Sequence, residues 1–278
     1  MNRHRLTLDL PDRAGLLAEV SAWIRDHRGD ISSAQHHVEG GRLYLRFCFA
    51  APASAADLRG DLDLLAGKLG GQVRLKNPDE PARVVVLASK DGHCLYDLLA
   101  RQADRDLPLV IPCVISNHET HRKVAEAHGI PFHHVPVTPA TKPAAMAEIR
   151  RLFAEHRGEW MVLARYMQVL DAETCSALAG RVINIHHAFL PSFPGARPYH
   201  QAHAHGVKLV GATCHFVTAD LDAGPIIEQD VTRVDHADSP EDMARRGRDI
   251  EVTVLARGLR SVVEDRVFVA GQRTVVFR

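Results

Sequence analysis

Neither sign of charge is in excess in this sequence, because 34 lysines and arginines are matched by 34 aspartates and glutamates. A balanced chain has no broad electrostatic attraction to nucleic acid or to anionic membranes, which favours a small-molecule partner. No apolar run reaches the roughly 18 residues that a membrane-spanning helix needs, and the opening segment MNRHRLTLDL lacks the apolar core of a signal peptide. These absences predict a cytoplasmic protein that has neither a nucleic-acid nor a membrane partner.

Cysteine is also scarce. The five cysteines are scattered and never form a C-x-x-C pair, which predicts reduced thiols rather than a disulfide framework or a zinc knuckle. The G-x-G-x-x-G fingerprint of dinucleotide-binding folds is missing, and so is the G-x-S-x-G nucleophile elbow. The first absence argues against a nicotinamide or flavin dehydrogenase, and the second against a hydrolase with a serine elbow.

Histidine, in contrast, is abundant, with 18 copies. The segment HQAHAH contains His200, His203 and His205 and could ligate zinc. However, no Cys or Glu stands at the spacing of a zinc finger or of an H-E-x-x-H motif. We therefore expect these histidines to be solvated or to end strands, and we predict no metal site.

Residues 3–76 follow the order strand, helix, strand, strand, helix, strand. HRLTLDL alternates with period two, AGLLAEVSAWIRDH repeats apolar residues at helical spacing, and Gly40-Gly41 separates two strands like a hairpin turn. This order is that of a ferredoxin-like α+β domain. The polar stretch NPDEPA predicts a linker, so we place one domain at residues 1–80 and a second at residues 81–278.

From Arg83 onward, continuous apolar strands alternate with helices. RVVVLAS, LPLVIPCVIS, FHHVPV, WMVLA and RVINIH are separated by helical segments, which predicts right-handed crossovers and a Rossmann-like, mostly parallel sheet. Residues 208–233 predict a strand pair joined by ADLDAG, followed by a helix to about Val263 and a terminal hairpin. The predicted fold class is α/β, with a small α+β domain in front.

Two polar side chains stand at the end of one predicted strand. Asn184 and His186 are two residues apart, so they point to the same side while Ile185 points to the other. Ligands of parallel sheets bind outside the carboxyl ends of the strands, which is where this pair falls. An amide donor beside an imidazole could stabilise an oxyanion on a carbonyl. The alternative, that His186 only caps the strand end, stays open.

Asp222 lies in DLDAGP, just before Gly224-Pro225 with Ala223 between them, and taken alone it is typical of a turn aspartate. Set against the amide and the imidazole, its carboxylate could act as a base or orient a water molecule. In the first domain, LPDRAGLL places a polar turn ahead of a helix N-terminus. This turn is either a plain capping loop or a site for a small anion such as an amino-acid carboxylate, held by Asp12, Arg13, Ala14 and Gly15.

Longer segments resemble a known family. INIHHAFLPSFPGARPYHQA, GVKLVGATCHFVTADLDAGPIIEQD, VLARYMQVL and GIPFHHVPVTP are similar to segments of the formyltetrahydrofolate deformylases, in that family's order and approximate spacing. LDLPDRAGLLAEVSAWI resembles the ACT domain that precedes their formyltransferase-type domain. The resemblance covers nearly the whole chain. It implies that the catalytic groups are Asn184, His186 and Asp222, and that the loop contacting the pteridine consists of Met167, Gln168, Val169 and Leu170.

The resemblance implies hydrolysis of 10-formyltetrahydrofolate to formate and tetrahydrofolate, which balances the one-carbon folate pool and supplies formate for purine synthesis, without a metal or organic cofactor. Related glycinamide ribonucleotide formyltransferases carry a glycine-rich phosphate loop where residues 89–93 read SKDGH here. Methionyl-tRNA formyltransferases carry a further C-terminal RNA-binding domain, whereas this sequence ends soon after TVVF. Water is therefore the expected acceptor. Transfer to an unrecognised amine and a catalytically silent folate or amino-acid sensor remain as alternatives.

The resemblance to ACT domains also implies regulation. Such domains commonly pair edge to edge and bind amino acids at the shared interface, so a homo-oligomer that responds to an amino-acid effector is expected. The effector site would be the turn from Asp12 to Gly15. Ala14 stands where the family pattern has proline.

Overall fold

The computed structural model describes residues 1–190 and 198–278. The chain forms two compact units, of which the first comprises Met1–Pro81 together with Ser261–Arg278, and the second comprises Ala82–Arg260. None of the described helices combines the length and the apolar composition needed to cross a bilayer.

The first unit has the predicted ferredoxin-like order. Its four strands form an antiparallel sheet in the order β2-β3-β1-β4. Alternate residues of the first strand, Leu6, Leu8 and Leu10, are fully buried because period-two alternation turns one strand face to the core. The elements are β1 (Asn2–Pro11), α1 (Leu16–Asp26), β2 (Asp30–Glu39), β3 (Arg42–Ala51), α2 (Arg59–Leu69) and β4 (Gln72–Lys76).

The second unit is an α/β structure with a mostly parallel sheet, as predicted. Its elements are β5 (Ala82–Ala88), α3 (His93–Ala103), β6 (Leu109–Val110), β7 (Val114–Ser116), α4 (Arg122–Ala127), β8 (Phe132–His134), α5 (Lys142–Glu155), β9 (Trp160–Leu163), α6 (Ala172–Ala177), β10 (Val182–His186), α7 (Pro198–Ala204), β11 (Leu209–Phe216), β12 (Ile226–Arg233) and α8 (Pro240–Val263). The strand order is β12-β11-β10-β9-β5-β7-β8, with β6 beside β5. Strands β5 to β10 pair in parallel, whereas β11 and β12 are antiparallel.

The segment LPLVIPCVIS does not form the single strand that was expected. It is divided into β6 and β7, with Pro112 between them. Proline has no N–H to donate to a neighbouring strand, so the ladder is interrupted at this residue. Strand β5, in contrast, is continuous and fully buried from Val84 to Ala88, as expected of a strand covered on both faces.

The C-terminal segment differs from the expected domain assignment. Residues 261–278 were assigned to the second domain, but they belong to the first compact unit. They form the predicted hairpin of β13 (Val267–Ala270) and β14 (Arg273–Val276), whose apolar side chains pack with Tyr44 of β3. The Arg46 guanidinium also donates to the carbonyl of Glu264 at 3.1 Å. An isolated hairpin has little stability of its own, and the apolar contact with β3 explains its position.

Candidate active site

Strand β10 carries the predicted polar pair into a pocket at its carboxyl end. It lies between β9, which runs parallel to it, and β11, which runs antiparallel, so that Asn184 stands between Leu163 and His215. Ile185 is buried, whereas Asn184 and His186 are partly exposed on the opposite side. The period of the strand therefore places both polar side chains in one pocket.

Asp222 joins this pair from the connection between β11 and β12. Its Oδ1 atom lies 3.3 Å from Nδ1 of His186 and 3.7 Å from Nε2 of His215. Asp222 has a positive φ of 54°, which aspartate tolerates better than most residues. Gly224 makes the turn possible, because a Cβ atom at this position would lie 1.8 Å from the carbonyl oxygen of Phe216. The structure thus brings Asn184, His186 and Asp222 together.

The carboxyl of Asp222 is surrounded by imidazoles. The hydrogen bond from His186 lowers its pKa below the ordinary value, outweighing the opposing effect of partial burial, and the other nearby histidines act in the same direction. Asp222 is therefore ionised at neutral pH. A carboxylate in this state can accept a proton or hold a water molecule in the pocket.

His215 is a site residue that the sequence analysis missed. Its Nδ1 atom lies 2.8 Å from the carbonyl oxygen of Phe216, and its Nε2 atom lies 3.2 Å from Nδ2 of Asn184. Burial lowers the pKa of His215, so the ring is neutral. Because a carbonyl can only accept, the proton is on Nδ1, and Nε2 accepts from the Asn184 amide. This bond fixes which end of the amide faces His215.

His187 places a partly buried imidazole beside the pair. Its ring stacks on that of His186 with centroids 4.9 Å apart. Burial lowers the pKa of His187 to about 4, and the nearby positive charge of Arg165 acts in the same direction. His187 is therefore neutral at physiological pH and forms an uncharged wall of the pocket.

The loop after β10 is held by Thr213 of β11. The Thr213 hydroxyl donates to the carbonyl of Ala188 at 2.9 Å and accepts from the Leu190 amide at 3.0 Å. The Gln229 amide donates to both Thr213 and the carbonyl of Leu190. These bonds fix the chain directly after His187. Within the family-like segment INIHHAFLPSFPGARPYHQA, residues 191–197 lie outside the described part of the chain.

The predicted folate loop forms the apolar wall of the same pocket. The pocket volume is about 250 Å³, which is slightly less than the roughly 300 Å³ of a typical small-ligand site. Its lining includes Met167, Gln168, Val169 and Leu170, with Met167 and Val169 about half exposed at the rim. The Ser89 hydroxyl accepts from the Met167 amide at 2.9 Å and so positions this wall. One ring system can enter while the rest of a ligand lies at the rim.

The turn from Asp12 to Gly15 belongs to the first unit. The Arg13 guanidinium pairs with both oxygens of Glu19, at 2.5 and 3.1 Å, and Lys68 lies 3.1 Å from the same carboxylate. The Asp12 amide donates to the carbonyl of Gly41 at 2.9 Å. The role of this turn in effector binding stays a prediction.

Two groups among the described residues bring potential metal ligands within 4.8 Å of one another, namely Cys113 with His133 and His156, and His93 with Cys94 and Glu251. Cys-His sets of this kind suit zinc in principle, yet burial raises the pKa of the Cys113 thiol to about 12. Neither group includes His200, His203 or His205, which lie on or directly after α7.

The sequence profile of the formyl transferase family matches residues 82–259. A formyltetrahydrofolate deformylase of Corynebacterium sp. (strain P-1) is 44% identical over 281 residues, covering 99% of this chain and 98% of the relative. The chain belongs to the formyltetrahydrofolate deformylase family.

Solved structures agree with this family membership. A formyltetrahydrofolate deformylase from Pseudomonas syringae superimposes with a TM-score of 0.97 at 48% identity, covering 100% of this chain and 95% of that one. A glycinamide ribonucleotide transformylase from Symbiobacterium toebii has a TM-score of 0.67 at 31% identity, covering 72% of this chain and 95% of that one. Most of this chain thus shares its fold with a glycinamide ribonucleotide transformylase.

Proposed function

We propose that this protein hydrolyses 10-formyltetrahydrofolate to formate and tetrahydrofolate. The observation that carries the proposal is the convergence of an amide, an imidazole and an ionised carboxylate on one pocket, with Asp222 Oδ1 3.3 Å from His186 Nδ1. Membership of the deformylase family supports the same reaction. These groups suit attack of water on a formyl carbon.

Each group has a separate task in the proposed reaction. Asp222 orients a water molecule and takes up its proton as the oxygen attacks. One N–H of the Asn184 amide is bound to His215, so the other N–H is available for the developing oxyanion. The Nδ1–H of His186 donates to the Asp222 carboxylate, so Nε2 donates to the oxyanion or passes a proton to N10 in the form of the ring that carries both protons. Transfer of this proton to N10 completes cleavage of the C–N bond.

The folate is held by the other wall of the pocket. The apolar side chains of Met167, Val169 and Leu170 fit one face of a pteridine, and Gln168 adds hydrogen-bonding capacity. The pocket volume accommodates the reacting end of the substrate, and the remainder extends past the exposed rim. The proposed chemistry uses neither a metal nor an organic cofactor.

The wider role follows from the same proposal. We place the protein in the cytoplasm, where it would balance one-carbon folates and supply formate for purine synthesis. The first unit would act as an ACT domain in a homo-oligomer and bind an amino acid at Asp12–Gly15. An effector of this kind changes activity by several-fold, because allosteric coupling is typically about 1 to 3 kcal/mol. Loss of this response in an Asp12→Asn variant would support the assignment.

The deciding experiment measures both products in the absence of an amine. Purified protein is mixed with 10-formyltetrahydrofolate in buffer, and tetrahydrofolate and formate are followed in parallel. Equal amounts of the two products support hydrolysis. Turnover only after an amine is added would instead identify a formyltransferase, and tight folate binding without turnover would identify a sensor.

A further inference from the structure

The parallel sheet reverses its strand order between β5 and β9. From β5 the chain proceeds outward to β7 and β8, and it then returns to β9 and β10 on the other side. In sheets of this type a crevice opens at the carboxyl ends of the two strands at the reversal, and ligands usually bind there. In this protein the crevice is occupied by side chains. The Arg165 guanidinium, just after β9, lies 3.1 Å from the carboxylate of Asp91, in the turn after β5.

A buried carboxylate completes this cluster. Glu251 of α8 is only 2% exposed, and its Oε2 atom lies 2.8 Å from Nε2 of His93 and 3.4 Å from Nε of Arg165. Its Oε1 atom accepts from the Tyr199 hydroxyl at 3.3 Å. We call Asp91, His93, Arg165 and Glu251 the switch-point network. Both carboxylates of the network, Asp91 and Glu251, lie within ion-pair distance of Arg165.

The network borders the proposed reaction site. Arg165 and His187 line the pocket that holds Asn184 and His186. Folate seated on the apolar wall at 167–170 would present its formyl carbon to these groups. A second substrate would therefore have to approach the formyl carbon from the side that the network fills.

The turn after β5 is also closed to a phosphorylated acceptor. The free N–H groups at a helix N-terminus would otherwise favour a phosphate at the start of α3. Here the Asp91 carboxylate is held at this position by Arg165 and repels a second anion. The turn is packed from behind, since a Cβ atom at Gly92 would lie 2.6 Å from Cζ of Tyr96.

We propose that the switch-point network determines the acceptor, and that it restricts the reaction to water by filling the acceptor side of the pocket. This inference rests on the proposed hydrolysis. With water, a C–O bond forms, the C–N10 bond breaks, and one water proton reaches N10. With an amine, a C–N bond forms, the same C–N10 bond breaks, and the proton that N10 receives comes from the amine. The same catalytic groups serve both reactions, and access to the formyl carbon separates them.

The test is a double variant, Arg165→Ala with Glu251→Gln. Removing both charges of the central pair opens space without leaving either charge buried alone. The probe is glycinamide, a small amine without a phosphate, supplied together with 10-formyltetrahydrofolate. Formate and N-formylglycinamide are quantified in the same mixture, and the reaction without protein is subtracted. The matched control is Arg151→Ala with Glu148→Gln, an exposed pair on α5 with a 2.7 Å contact.

The wild type and the control should release formate without detectable N-formylglycinamide. The double variant should divide the formyl group between the two acceptors, with the amide product at least about tenfold above the detection limit. A merely structural defect would lower both products together and would not change their ratio. Formylation of glycinamide by the wild type would overturn the inference. A folded double variant that releases formate alone, or no product, would also overturn it.

A second variant covers the case in which the double variant fails to fold. Asp91→Ala removes an exposed carboxylate and frees one side of Arg165. It should give a smaller amount of N-formylglycinamide that still exceeds the control, and its absence would count against the network. Formate release by the wild type is measured separately, because a wild type that releases no formate would refute the proposed function itself.

Discussion

The Asn184 amide donates to the Nε2 atom of His215 across 3.2 Å. The proton on the opposite ring nitrogen is held by the carbonyl of Phe216, so His215 can only accept from the amide. The orientation of the proposed oxyanion donor is thus determined by a neutral histidine on the neighbouring strand. His215 is a positioning residue in this arrangement, because it acts through Asn184.

Substitution of His215 should reveal this role. His215→Phe removes the acceptor while keeping a planar ring, and we expect kcat to fall by about tenfold to a hundredfold with little change in KM. His215→Gln can still present an oxygen to the amide and should retain more activity than His215→Phe. In an Asn184→Ala background, the same His215→Phe change should have little further effect. Equal losses in both backgrounds would show that His215 acts independently of Asn184.

The oxyanion donors should be separable from substrate binding. Asn184→Ala and His186→Ala should each lower kcat by about 10² to 10³, because an oxyanion exists only near the transition state. The folate dissociation constant, measured with an unreactive folate, should change little. If the folate dissociation constant rose in parallel with the loss of kcat, these residues would instead contribute to substrate binding.

Asp222→Asn keeps the size of the side chain and removes its charge. We expect a loss of kcat at least as large as that of the donors, about 10² or more, in folded protein that still binds folate. The combined loss with His186→Ala should be far smaller than the product of the single losses, since the two groups act on one intermediate. A kcat within about threefold of the wild type would return Asp222 to the role of a turn residue.

The sequence was sufficient to predict part of this site, and the reasons are physical. Period two places Asn184 and His186 on one face, and an apolar strand followed by polar residues predicts a strand end. The position of Asp222 beside them depends on the contact between Gly224 and Phe216, which no local pattern encodes. His215 alternates with apolar neighbours in TCHFV and resembles a buried core residue until the register of β11 against β10 is known.

The fold, too, could be predicted from the sequence only in part. Apolar periodicity was enough to predict the ferredoxin-like order and the alternating strands and helices. The C-terminal hairpin was predicted as a hairpin, but its packing partner was not, because an apolar hairpin face fits any complementary surface. Contacts with strands of the first unit, such as the packing on Tyr44 and the hydrogen bond from Arg46, place residues 261–278 in that unit.

His187 should make stability sensitive to acid. Its folded-state pKa of about 4 lies below the ordinary value of 6.5, so the unfolded chain binds more protons between these two pH values. The free energy of unfolding should therefore fall as pH is lowered from 7 to 4, by up to about 3 kcal/mol through this residue. Urea titrations should show a smaller decrease for His187→Gln. The exposed His128→Gln should behave like the wild type, and an equal decrease in all three would contradict the prediction.

The apolar rim should contribute affinity rather than chemistry. Val169→Asp places a charge where we expect the pteridine, and KM should rise about tenfold or more while kcat stays within about threefold. Val231→Asp changes an exposed valine of β12 outside the pocket lining and serves as the control. An unchanged KM in the Val169→Asp variant would show that the folate does not bind against this wall.

The absence of a side chain at Gly224 keeps Asp222 and His215 in place, and His215 in turn orients Asn184. A methyl group at Gly224 would force the backbone of β11 and the β11–β12 turn apart, since the added carbon would lie 1.8 Å from the Phe216 carbonyl oxygen. That oxygen orients His215, and the same turn carries Asp222. This position therefore tolerates no larger residue. Even a Gly224→Ala substitution should abolish activity, although this residue has no proposed contact with the substrate.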